Sequence, residues 1–227
     1  MTTVPAVTST PRALFVSAAA ALLLPAIAAA GPAHAADVYL ESISGDLSNS
    51  GLTPTSLVFA VGDNRVFGST GRGTDGVVDR DYFTFTLLSD TQLIGLEVLP
   101  GTTSIGPATV SFLGLQAGSQ VTVNPALPTA TELLGWRHYG PNDIGSNILP
   151  QVGTGAGAQG FAGPLGPGTY SVWLQETGTG SANYGFNFLV ASVPEPASWA
   201  MMLVGFGALG AALRSRRRPS RRACIRA

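Results

Sequence analysis

The chain has 227 residues and a formal net charge of −1, but its charges are segregated. Between Ala36 and Val193 twelve carboxylates face four arginines, a net charge of −8, whereas seven arginines follow Leu213. So acidic a middle segment excludes nucleic acid as a partner, and the single cysteine, Cys224, lies outside it, which excludes disulfides and thiolate-bound metal there. At the N-terminus Arg12 precedes an apolar run, Ala13 to Ala30, that Pro25 interrupts and Ala33-His34-Ala35 follows. One positive charge, a short apolar core and an A-x-A site predict a cleavable signal peptide over 1–35. A transmembrane helix is the competing reading, disfavoured by Pro25 and the small residues after it.

Residues 36–193 suffice for one exported domain of ordinary size. Its pattern is strand-like. Ser56–Val61 and Arg65–Gly68 are predicted strands joined at Gly62-Asp63-Asn64. In Asp81–Leu87, Phe83, Phe85 and Leu87 share one face. Gln92–Leu99 aligns Ile94, Leu96 and Val98, and Thr109–Leu115 aligns Val110 and Phe112. Gln120–Val123 is a short alternating run, and Leu133–Trp136 a further short strand. Thr169–Gln175 sets Tyr170, Val172 and Leu174 against Ser171, Trp173 and Gln175. Asn183–Val190 puts Tyr184, Phe186, Phe188 and Val190 together. Asn124–Pro150 is weakly patterned, and Val152–Pro167, rich in Gly, Ala and Pro, reads as a long loop. No helical periodicity precedes the C-terminal tail. The expected fold is all-β, an antiparallel β-sandwich or jelly roll.

The order and character of these strands resemble the bacterial pre-peptidase C-terminal domain, a β-sandwich. The resemblance runs over roughly residues 57–190. It is carried by Asn64–Ser69, Asp79–Phe85, Gly166–Trp173 and Tyr184–Phe188. It implies an accessory module that binds polysaccharide or protein, although no peptidase precedes it in this chain.

Four groups in this domain invite a chemical reading. Gly71–Gly76 and Gly155–Gly160 both fit G-x-G-x-x-G, but neither opens a helix in a βαβ unit, so both read as loops. Asp75, Asp79 and Asp81 offer hard oxygen ligands that suit calcium, without the order of an EF-hand. Turn caps paired with Arg72 or Arg80 are the plainer reading. His138 is the only histidine of the domain, and no G-x-S-x-G elbow accompanies it. Trp136, Tyr139 and Trp173 are candidate sugar-stacking residues. Trp173 is out of phase with Val172 and Leu174, which predicts an outward, exposed ring.

The tail, 194–227, opens on Pro194-Glu195-Pro196. Ala197 to Leu213 is apolar except for Ser198, 17 residues or about 26 Å of helix, near the lower limit for a membrane span. Arg214, Arg216, Arg217 and Arg218 follow, which predicts a cytoplasmic C-terminus and an inner-membrane helix over 197–213. An ordinary anchor accounts for the helix and the arginines, but not for Pro194-Glu195-Pro196 with Trp199. Together Pro194, Glu195, Pro196, Trp199, Arg216, Arg217 and Arg218 closely resemble the PEP-CTERM sorting tail in its PEPxxWA form. That resemblance implies processing by an exosortase and a setting of exopolysaccharide or biofilm matrix.

The expected function is a non-enzymatic surface or matrix protein with an exosortase as partner in transit and polysaccharide or a matrix protein as final partner. No cofactor is expected beyond calcium at the aspartates. The alternative is a secreted hydrolase or its carbohydrate-binding accessory module. An ice-binding surface would need a regular threonine repeat, which 36–193 lacks.

Overall fold

A computed structural model describes residues 36–72, 76–106, 109–193 and 196–216. The expected signal peptide, 1–35, lies outside the described residues, as do Asp75, Pro194, Glu195, Arg217 and Arg218.

Ten strands among the described residues form two layers. One sheet holds β1 (Ala36–Leu40), β3 (Gly62–Arg72), β5 (Thr91–Val98), β6 (Thr103–Ile105) and β10 (Ser181–Ser192). The other holds β2 (Thr55–Ser56), β4 (Val78–Leu87), β7 (Ser111–Ala117), β8 (Gly135–Tyr139) and β9 (Gly168–Glu176). In the first, β10 pairs with β5, β6 and β3, and β3 pairs with β1. In the second the order is β2, β4, β9, β7, β8. The layers meet at one corner, where Gly71 and Arg72 pair with Asp79 and Val78.

The expected sandwich is therefore present, with one amendment. The edge strands β1 and β2 run parallel to their neighbours, and every other pair is antiparallel. Alternation in a sequence shows which face a residue takes but not the direction of the strand beside it.

The main core fills the space between the sheets. Phe83, Phe85 and Leu87 of β4, Leu113 and Leu115 of β7, and Val172 and Leu174 of β9 meet Val66 of β3 and Phe186, Phe188 and Val190 of β10. Phe83 and Phe188 meet edge to face at 5.6 Å across the layers, and Phe59 stacks on Phe85 at 4.5 Å. Burying each such side chain contributes about 1.5–3 kcal/mol, so a one-residue slip of β10 would forfeit all three of its named core residues at once. That penalty fixes the register.

Several local expectations are corrected. Asp63 and Asn64 do not form a hairpin turn. They already pair with Leu189 and Phe188 of β10, and the Asn64 side chain holds the preceding loop through both the N–H and the carbonyl of Ala60. In β5 the register passes from Leu189↔Gly95 to Val190↔Leu93. Ile94 is the extra residue of a β-bulge, so Leu93 joins Leu96 and Val98 in the core and Ile94 faces out, 37 % exposed. Two single helical turns, α1 (Glu41–Ser44) and α2 (Leu149–Val152), precede the tail; neither is long enough to show a helical period. α2 buries Leu149 and Val152 against the core.

A second, smaller core covers the outer face of the second sheet. Val121, Val123 and Leu133, from the segment between β7 and β8, pack on Tyr82 and Trp173, with Phe112 and Trp136 alongside. The run Gln120–Val123 is not a strand, although its alternation is real: Val121 and Val123 are buried and Thr122 is exposed. The segment is tied down where the Val121 N–H donates to the Gly51 carbonyl at 2.8 Å. In the tail, α3 spans Pro196–Arg216, and its side chains from Trp199 to Arg214 are exposed. Among the described residues no helix is long and apolar enough to cross a membrane.

Candidate functional site

The outer face of the second sheet carries a transverse row. Tyr82 pairs with Trp173, Trp173 with Gly114 and Gly114 with Trp136, so four adjacent strands place these residues side by side on one face. Gly114 leaves the gap that Phe112 fills: a Cβ there would stand 3.0 Å from two of its ring carbons. The Phe112 ring meets Trp173 edge to face at 4.8 Å and stacks with Trp136 at 6.0 Å. His138 joins from β8, 5.5 Å from the Trp136 ring.

These rings line a groove of about 330 Å³ with Leu133 at its base and Pro128, Thr129, Ala130 and Thr177 along its sides. The Trp136 Nε1–H donates to the Ala156 carbonyl at 2.9 Å, which holds its ring in place. The Trp173 Nε1–H is buried and has no hydrogen-bond partner in the protein.

Of the three aromatic candidates, the groove brings two together. Trp136 is part-exposed in its wall. Trp173 does lie on the outer face, as its phase requires, but it is only 2 % exposed, because the β7–β8 segment covers it. The expected exposed ring is thus corrected to a buried one. Tyr139 is excluded from the groove. It lies three residues after Trp136 on the same strand, hence on the opposite face, and packs in the main core 4.8 Å from Phe186. Phe112 was the residue missed. It is out of phase with Leu113 and Leu115, the same signal that singled out Trp173.

His138 Nδ1 lies 3.2 Å from the Ser111 carbonyl oxygen, the position an orienting carboxylate takes in a triad. The Ser111 hydroxyl donates instead to Glu176 at 2.9 Å. Glu176 is fully buried and also accepts from the N–H groups of Val110 and Gly178, so its charge is spent on closing strand ends.

Separate from this groove lies an acidic pocket of about 550 Å³, lined by Glu41, Asp46, Asp79 and Tyr184 among others. Asp81 shares the inward phase of Phe83 and Phe85 and is 0 % exposed. The Tyr184 hydroxyl donates to its Oδ2 at 2.8 Å, while Oδ1 has no partner. Glu41, from α1, accepts through Oε2 from the N–H of Ser69 at 2.7 Å and its hydroxyl at 3.0 Å, and its Oε1 is likewise buried and unpartnered. One carboxylate oxygen each from Glu41, Asp46 and Asp81 lies within 4.8 Å of the others. The expected acidic trio of Asp75, Asp79 and Asp81 is therefore redrawn. Asp81 is retained, Asp79 lines the pocket, and Glu41 and Asp46 complete the cluster.

Burial pushes the Asp81 carboxyl up to about 9, with the charges of Glu41, Asp79 and Asp46 adding to it against the Tyr184 hydrogen bond. Burial likewise raises Glu41 to about 7, helped by the facing Asp46 carboxyl and opposed by the hydrogen bonds from Ser69. Asp79 is raised by burial and by Asp46.

Of the first glycine-rich run, Gly71 and Arg72 end β3 and residues 73–75 lie outside the described residues; residues 155–160 lie between α2 and β9. Of the sorting residues, Pro196 opens α3, Trp199 is 54 % exposed on it and Arg216 ends it.

Residues 192–218 match the PEP-CTERM protein-sorting motif. The motif marks an exported protein that is targeted to an exosortase and carries its sorting signal at the C-terminus. Comparison with curated proteins and with solved structures returned no match.

Proposed function

We propose that this exported chain is a non-enzymatic surface or matrix protein that binds polysaccharide through the aromatic groove on its second sheet. The observation that carries the reading is the aromatic lining: Phe112 stacks with Trp136 and meets Trp173 edge to face in a cleft about 330 Å³ in volume. Aromatic faces bind the apolar C–H faces of sugar rings, and the polar rim of Thr129, His138 and Thr177 supplies hydrogen bonds to hydroxyls.

On this reading the tail is a temporary anchor. The apolar stretch 197–213 seats in the inner membrane with the arginine cluster on the cytoplasmic side, and the exosortase cuts near Pro194-Glu195-Pro196. The sandwich is then released to the exopolysaccharide or biofilm matrix.

The test is a pull-down of the full chain with exopolysaccharide from the producing cells. Trp136→Ala should retain the fold and lose at least about tenfold in binding, since removal of a stacked aromatic anchor costs more than about 1–2 kcal/mol. Equal capture of wild type and Trp136→Ala would remove the groove from the account.

A further inference from the structure

The acidic pocket shares no lining residue with the aromatic groove and plays no part in the function just described. Three carboxylates converge there from three different pieces of chain: Glu41 on α1, Asp46 in the loop after it and Asp81 on β4. Convergence of acids alone signifies little. Here, however, the cluster contains a wholly buried carboxylate, Asp81, whose Oδ1 has no donor to satisfy it, and Glu41 brings a second buried oxygen, Oε1, that is likewise without a partner. Buried polar atoms are almost always partnered, and a buried carboxylate without a counter-charge is among the most unfavourable groups a fold can hold. The ion pairs among the described residues, Arg65 with Asp37 and Arg137 with Asp143, leave all three acids without an arginine.

We infer that Glu41, Asp46 and Asp81 form a calcium site that ties the start of the mature chain to the sandwich. The orphaned Oε1 of Glu41 and Oδ1 of Asp81 and the exposed carboxylate of Asp46 are the protein ligands, and water completes the six to eight oxygens that calcium takes. The donor set is all hard oxygen, which selects calcium over the softer transition metals. One face of the site is open to the pocket, so the ion has an entry path and room for its waters. The Glu41 Oε2 and Asp81 Oδ2 oxygens stay engaged by Ser69 and Tyr184, which fixes both carboxylates in orientation. Asp81 lies in a central strand, whereas α1 is a single turn with no buried residue, so the ion ties that turn to the sheet. In an exported domain, such a site fills only after translocation, because the extracellular range for calcium modules is about 10⁻⁴–10⁻³ M.

The experiment uses the full chain in detergent, stripped with EDTA and titrated with CaCl2 by calorimetry and by thermal melting. Saturable heat at one ion per chain and a rise in melting temperature are expected. Asp81→Asn removes a ligand but also disturbs the Tyr184 contact, so Asp46→Asn, at an exposed position, is the deciding variant. It should fold as wild type and bind calcium at least about tenfold more weakly, as loss of one charged ligand requires. Absence of heat and of any melting shift at about 5 mM calcium, above the range of extracellular modules, overturns the site. So does a wild-type affinity in Asp46→Asn, or a shift reproduced by NaCl at matched ionic strength.

Discussion

Trp173 and Trp136 sit in one aromatic row, yet they carry different burdens. Trp173 is enclosed by Tyr82, Val121, Val123 and Leu133, so Trp173→Ala opens a cavity and should destabilise the domain by about 3–5 kcal/mol, read from chemical denaturation. Trp136 keeps one side in the groove, and its replacement acts first on the ligand. Asp81 and Glu41 give the molecule a pH dependence of a definite sign. Both hold their protons more tightly in the folded chain, up to about 9 and about 7, than in the unfolded one, where they titrate near 3.8 and 4.5. Between roughly pH 4 and pH 9 the folded state therefore binds more protons than the unfolded state, and stability falls as pH rises. In EDTA the melting temperature should be lower at pH 9 than at pH 5, and the decline should flatten in Asp81→Asn. A melting temperature that climbs across that window would contradict it.

Among the elements, β3, β4 and β10 place the acidic pocket. β3 passes close to Tyr184 of β10 at Gly68, where any Cβ would collide with the Tyr184 hydroxyl. Gly68→Ala must displace that hydroxyl from Asp81, so a loss of about 1–3 kcal/mol is expected, as for other overpacked sites, together with a weaker response to calcium. Thermal melts with and without CaCl2 measure both. The bulge at Ile94 shows a different lesson. A strict alternation read through Gln92–Leu99 aligns Ile94 with Leu96 and Val98, but one extra residue reverses the faces before it, and only the pairing with β10 shows where that occurs. The parity of Trp136 and Tyr139, by contrast, was available from their odd spacing once β8 was recognised as one strand.

At the scale of the whole molecule, the acidic segment 36–193, with a net charge of −8, stands in the sequence between an apolar N-terminal run and a tail rich in arginines. The sorting motif at 192–218 assigns the tail its role as an address. Mass spectrometry of the protein recovered from the cell surface or medium of its host should show a chain that begins at Ala36 and ends near Glu195. Recovery of Met1 and Ala227 on the same molecule would exclude processing at both ends.

By itself, the sequence determined the all-β class, the long central strands β4, β5, β7, β9 and β10 with the faces of most of them, and the sorting tail, but not the short edge strands β1 and β6. Each of these rests on local periodicity or on contiguous residues, which a linear pattern carries in full. Only the tertiary structure decided that Trp173 is covered, that Tyr139 belongs to the core and that Glu41 and Asp46 join Asp81. Those outcomes depend on which distant segments meet. The β7–β8 crossing lies on an outer face that alternation would leave wet, and α1 and the loop after it bring Glu41 and Asp46 against a strand some forty residues further on. Chain folding, not residue type, turned an outward tryptophan into a buried one and three scattered carboxylates into a cluster.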